Sequence, residues 1–138
     1  MSVKHSKRSS FVNAVNRLQG AVQQQAQQGI VGDMMRDAII QRFEFTLEVA
    51  WKYMRFILLE DGILKDEVVS PKKTIQSAFA NGLISDGSVW IQMIGYRNIL
   101  SHVYDETETV ILEDKIRNGY LQVFKQLIEK TIDKDSDS

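Results

Sequence analysis

Eight consecutive residues, Arg97-Asn98-Ile99-Leu100-Ser101-His102-Val103-Tyr104, bring together a permanent cation, a carboxamide, a general acid/base and a phenol. His102 is one of two histidines in the chain; the other, His5, stands at the extreme N-terminus. A guanidinium grips phosphate oxygens through two parallel hydrogen bonds and stabilises negative charge as it builds. An imidazole, with an unperturbed pKa of ~6.5, exchanges a proton near neutrality. The pair therefore suits phosphodiester chemistry that needs no metal. Cleaving RNA that way requires a base for the 2′-hydroxyl and an acid for the leaving oxygen, and each chain offers one well-placed imidazole. Two chains around a twofold axis would bring two imidazoles and two guanidiniums into one cleft. Activity would then depend on dimerisation. The plainer reading is structural: arginine capping a helix C-terminus, histidine filling a hydrogen-bonding niche. On spacing alone the plainer reading is the commoner outcome.

Helices must position these groups. On an ideal helix Arg97 and His102 are separated by ~140° of rotation and ~7.5 Å of rise, so they would not share a face. Either the helix ends near Ser101 or the two groups meet across an interface. An ending is favoured, because Asp105 with Glu108 three residues on forms a capping-box pattern. Upstream, Asp86-Gly87-Ser88 opens the helix that carries Val89, Trp90, Met93, Ile94 and Arg97. The last helix continues through Val110, Ile111, Ile116, Tyr120, Val123, Phe124, Leu127 and Ile128.

The earlier part of the chain reads as helical too. Phe11, Val15, Leu18 and Val22 recur at helical intervals from about Ser10 to Gln28, with a break at 29–32. A second helix spans about Asp33 to Glu60. One of its faces is Ile39, Phe43, Leu47, Ala50, Trp51, Met54 and Leu58; another is Ala38, Phe45, Val49, Tyr53 and Phe56. Only Gln41, Glu44, Glu48, Lys52 and Arg55 make a polar stripe, so this helix has neighbours on several sides, one of which could be a second copy. Asp61-Gly62 ends it with a glycine suited to the left-handed cap. After a connector at 63–69, Ser70-Pro71 reads as an N-cap with proline in the first turn. The short helix that follows has Ile75, Ala78 and Phe79 inward. The expectation is an all-α, antiparallel (up-and-down) four-helix bundle with one additional short helix, dimeric. It forms a single domain over 1–138, with 1–9 and 134–138 as mobile tails.

Composition narrows the classes. A chain of 138 residues, 43% hydrophobic and 25% charged, matches an ordinary globular domain. No apolar run approaches ~18 residues, so no membrane span is expected. With no cysteine there are no disulfides and no thiolate metal sites, which suits a cytoplasmic location. No cofactor and no metal are implied. A net charge of −1 gives no global field for DNA, so any nucleic-acid contact must be local. Lys4, Lys7 and Arg8, with Lys65, Lys72 and Lys73, are the basic clusters, and they read as solubilising side chains. Glu44, Glu48 and Lys52 read as a solvated face with a modest ion pair. Trp51 and Trp90 read as core, and Gly95 as a point of close helix approach at an interface.

At Arg97-Asn98…His102 the chain resembles the HEPN superfamily, whose signature is an arginine, four to six residues, then a histidine. Within it, the chain more closely resembles the nucleotidyltransferase substrate-binding, or HepT-like, group. That likeness runs from Gln41-Arg-Phe-Glu-Phe-Thr-Leu-Glu-Val-Ala-Trp51-Lys through Ser70-Pro-Lys-Lys, Ala78-Phe-Ala-Asn-Gly-Leu-Ile84 and Asp86-Gly-Ser-Val-Trp90 to His102-Val-Tyr104-Asp-Glu106. The resemblance implies a dimeric helical bundle paired with a separately encoded minimal nucleotidyltransferase in a toxin–antitoxin module. It also implies ribonuclease activity: Arg97 and His102 would be catalytic, Asn98 supporting, and Tyr104 the acceptor of an adenylyl group. The chain lacks the Gly-Ser and paired-aspartate signature of a nucleotidyltransferase, so it is not itself the transferase. The other role the resemblance implies is a non-catalytic subunit that presents substrate to that enzyme or regulates it.

Overall fold

The computed structural model describes residues 3–28, 32–102 and 105–132, with the side chains at 25–28 and 99–102 outside that description. Among the described residues the chain is all-helical, without strands. In order come α1 (Val3–Gln28), α2 (Asp33–Glu60), a 3₁₀ turn (Lys65–Glu67), α3 (Pro71–Ala80), α4 (Gly87–His102), α5 (Glu106–Lys115), a π turn (Ile116–Tyr120) and α6 (Leu121–Lys130).

Helix ends follow local chemistry. Ser70 accepts a hydrogen bond from Lys73 N at 3.2 Å, with Pro71 in the first turn of α3. Asp86 Oδ1 accepts from Ser88 N at 3.0 Å and Ser88 Oγ at 2.6 Å, and Asp105 Oδ1 from Thr107 N at 2.8 Å. Gly62 closes α2 at φ +94°, and Gly82 closes α3 at φ +77°. In each case the next amide reaches back to the last turn: Ile63 N to Leu58 O at 3.0 Å, Leu83 N to Ala78 O at 2.8 Å. Both are the six-to-one closure that a left-handed residue allows.

α2 is the central element, packing against α1, α3 and α5, while α1 also meets α6 and α3 meets α4. Ile39, Phe43, Leu47, Ala50, Met54 and Leu58 on its inner face are buried. Phe124 of α6 joins the helices together. Its ring lies 6.2 Å from Phe11, 5.9 Å from Phe43 and 5.6 Å from Trp90, so α1, α2 and α4 meet on one side chain. Edge-to-face and tilted aromatic pairs each add roughly 0.5–1.5 kcal/mol beyond the area they bury.

Three expectations are corrected. α1 begins at Val3 rather than near Ser10, so residues 3–9 are helix and not tail. Charge rather than apolar spacing holds this turn. Arg8 Nη2 donates to Ile128 O at 2.8 Å, and Lys7 Nζ lies 5.2 Å over the Phe56 ring. Phe79 points outward, 54% exposed, because Thr74, Ile75 and Ala78 fill the inner face of α3. The last helix is interrupted by the π turn at Ile116–Tyr120 instead of running unbroken. On the second face of α2, where a second copy was one possible neighbour, Tyr53 is buried within the chain and Phe45 is 60% exposed. The connector is also ordered, since Val68 O accepts from Arg55 Nε at 3.0 Å and from Thr74 Oγ1 at 3.3 Å.

Candidate functional site

Trp90, Met93 and Ile94 pin α4 into the core. That register turns Arg97 toward α2. Its Nε lies 2.6 Å from Glu48 Oε1, with both side chains about one-third exposed, at 36% and 31%. The contact is one of charge on charge rather than an aligned hydrogen bond. Glu48 is held in turn by its own helix. Its Oε2 accepts from the Trp51 indole at 3.3 Å and lies 3.7 Å from Lys52 Nζ. Glu44, one turn earlier, is half-buried; burial pushes its carboxyl above the usual range, and the attraction of Arg97 only partly opposes this.

The far side of α4 is braced by the C-terminal helices. The Tyr120 hydroxyl donates to Gln92 Oε1, and its ring meets Tyr96 edge-on at 6.3 Å and stacks on Phe43 at 5.7 Å. Burial, and then the neighbouring Tyr96, push the Tyr120 phenol up to about 12; burial likewise raises Tyr96. Tyr120 is the last residue of the π turn, a distortion that recurs at functional sites. Here it seats the phenol beneath α4.

The residues singled out in sequence fare differently. Arg97 is partly exposed and oriented, and Asn98 is exposed beside it. α4 runs through His102, past the ending expected near Ser101, so Arg97 and His102 stand on one helix. The His102 side chain and the whole of Tyr104 lie outside the described residues. A Cβ on Gly95 would meet nothing within 4 Å, so no close approach among the described residues accounts for that glycine. Trp90 is core, but Trp51 is half-buried and spends its N–H on Glu48. Among the described residues no group of three or more histidine, aspartate or glutamate side chains converges as a metal site would.

Glu48 is the residue that sequence reasoning missed. The stripe of Glu44, Glu48 and Lys52 read as solvated, and the Glu48–Lys52 pair does form. The available signal was that this stripe is the only polar strip on a helix otherwise apolar nearly all round. A carboxylate placed there has few options but a cation from a packed neighbour. Chemically, a guanidinium carries five N–H donors, so one whose Nε lies against a carboxylate keeps further donors for an oxyanion.

Two comparisons bear on this arrangement. A family model described as nucleotidyltransferase substrate binding protein like matches residues 6–132. A protein named probable ribonuclease HepT, from Haemophilus influenzae (strain ATCC 51907 / DSM 11121 / KW20 / Rd), is 34% identical over 107 residues, covering 76% of this chain and 68% of that protein.

Proposed function

The chain belongs to the nucleotidyltransferase substrate binding protein like family, and from that premise we propose that it is a metal-independent endoribonuclease. It partners a separately encoded minimal nucleotidyltransferase in a two-gene toxin–antitoxin-like module of the cytoplasm. The helices form an up-and-down bundle that dimerises, and the site is composite. The observation that carries this reading is the Arg97 guanidinium, partly exposed and held 2.6 Å from Glu48, on the helix that also carries His102.

In this mechanism Arg97 clamps the scissile phosphate through its Nη end while Glu48 fixes the fork. One His102 takes the proton from the 2′-hydroxyl, whose oxygen attacks phosphorus. The leaving 5′-oxygen receives a proton from the other His102, and a cyclic phosphate remains. Asn98 supports the phosphate from the exposed side of α4. Positions 97 and 102 on one helix are ~140° apart in register, which favours a partner subunit as the source of the complementary group. Open space over Gly95, a residue that costs ~1 kcal/mol inside a helix relative to alanine, favours the same arrangement. Tyr104 is the proposed adenylyl acceptor, where a nucleotide two residues from the imidazole would block the cleft.

The family's description favours a second reading, a non-catalytic subunit that binds substrate for the transferase or regulates it. Replacing His102 with alanine separates the two. The nuclease reading expects RNA cleavage in EDTA to fall by at least a hundredfold, the usual scale for losing a general acid/base, while binding to the transferase persists. Cleavage by the variant at the parental rate, or none by the parent, leaves only the second reading.

A further inference from the structure

With a net charge of −1, the chain needs a local basic patch to hold RNA. The clusters visible in sequence are largely committed elsewhere. Arg8 bonds Ile128 O and Thr131 Oγ1, Lys7 sits over Phe56, and Lys73 Nζ reaches Asp66 O. A different patch forms where α1 crosses α2. Arg17, Gln41, Arg42 and Phe45 line a groove of about 400 Å³ there, floored by Ala14 and Ala38. Phe45 stands 60% exposed in it. Arg42 is fixed across the seam, its Nη1 donating to Arg17 O at 3.0 Å.

We propose that this groove is a nucleotide subsite for a single RNA strand, with an unpaired base stacked on Phe45 and its phosphate held by Arg17 and Arg42. The inference rests on the RNA-cleaving reading and gives it a place for the residue next to the scissile bond. Base–aromatic stacking flanked by guanidinium is how single strands are held without sequence preference. The Gln41 amide offers both a donor and an acceptor to a base edge. Charge distinguishes this groove from the other open aromatic. Phe79 is exposed beside Ser85 and Asp86, with no cation lining its cavity, so it repels a phosphate. Position also favours it: Phe45 lies three residues before Glu48, the carboxylate on Arg97. Residues so spaced on a helix have Cβ atoms ~5–6 Å apart, within reach of adjacent nucleotides on one strand.

The test is fluorescence anisotropy with a labelled, single-stranded 2′-O-methyl oligoribonucleotide, which cannot be cut because its attacking hydroxyl is blocked. Phe45→Ala should weaken binding about thirtyfold, the middle of the range for one stacked base, and Phe45→Trp should bind like the parent. Arg17→Ala should weaken binding and reduce the slope of log affinity against log salt by roughly 0.7, the value for one phosphate contact on a single strand. Unchanged affinity in Phe45→Ala overturns the proposal. So does a change in oligomeric state by light scattering that alone accounts for the loss, because the groove is then an interface between copies. If the blocked strand binds as expected while ordinary RNA is never cut, the nuclease reading fails and the subsite stands. If RNA is cut and Phe45→Ala leaves KM unchanged, the subsite fails and the nuclease stands.

Discussion

Glu44 and Glu48 sit one turn apart on α2, and both feel Arg97, yet their consequences for the fold differ in sign. Burial dominates at Glu44 and raises its pKa above the ordinary 4.5. A carboxyl that holds its proton more tightly when folded makes the native state relatively stronger in acid and weaker once it must ionise. Glu44→Gln should therefore raise the melting temperature at pH 7, and the gain should vanish below about pH 4, where the parent is protonated in both states. Glu48 acts through contacts instead: its carboxylate lies against Arg97 and Lys52 and accepts from the Trp51 indole. Partly exposed pairs of this kind contribute ~0.2–1 kcal/mol, so Glu48→Gln should lower stability by no more than about that amount. On the proposed mechanism its larger effect would fall on RNA cleavage, through a guanidinium no longer held in one orientation. Thermal melts of Glu44→Gln at pH 7 and pH 4, and of Glu48→Gln at pH 7, check these outcomes; a Glu44→Gln protein that melts lower at pH 7 would mean that the Arg97 attraction outweighs burial after all.

Helix ends were legible in the residues because their chemistry is local. A serine or aspartate with a free amide two or three residues on, or a glycine able to turn left-handed, acts within one turn of chain. The two glycines Gly20 and Gly62 separate that local logic from packing. Gly62 sits at φ +94°, a conformation that costs a residue with a Cβ roughly 1–2 kcal/mol. Gly20 lies inside α1, where a built Cβ meets nothing within 4 Å. Gly62→Ala should lower stability by about 1 kcal/mol, while Gly20→Ala should raise it by up to ~1 kcal/mol. Denaturant midpoints at unchanged m-value measure both. The elements that sequence misjudged depend on distant partners. The first turns of α1 have no apolar repeat and are held by Arg8 across more than a hundred positions, on Ile128 and Thr131. The π turn leaves the apolar spacing of the last helix intact, so periodicity carries no trace of it. Phe79 looked inward because it is apolar, but Ile75 and Ala78 already fill that face.

Across the whole molecule the candidate site divides the same way. Arg97 and His102 could be picked out because they are close in sequence, whereas Glu48 becomes relevant only when α2 and α4 pack. The packing itself converges on aromatic rings: Phe124 gathers α1, α2 and α4, and Tyr120 joins the π turn to α4 through Gln92. This second junction makes the fold sensitive to alkali. The unfolded chain releases the Tyr120 proton near the ordinary phenol value of 10, while the folded chain keeps it until about 12. Between those values the unfolded state is favoured by deprotonation, so the stability that Tyr120 contributes is complete below pH 10 and drains away as pH climbs toward 12. Burial raises Tyr96 as well, so it too favours unfolding in alkali. Tyr120→Phe removes the titrating hydroxyl and its bond to Gln92, but keeps the ring against Phe43 and Tyr96. The variant should be less stable than the parent at pH 8 and lose less on going to pH 11.5. Circular-dichroism melts across pH 8 to 11.5 read both numbers at once. Parallel curves for the two proteins would show that Tyr120 ionises alike folded and unfolded, and that α4 is held against α6 by shape alone.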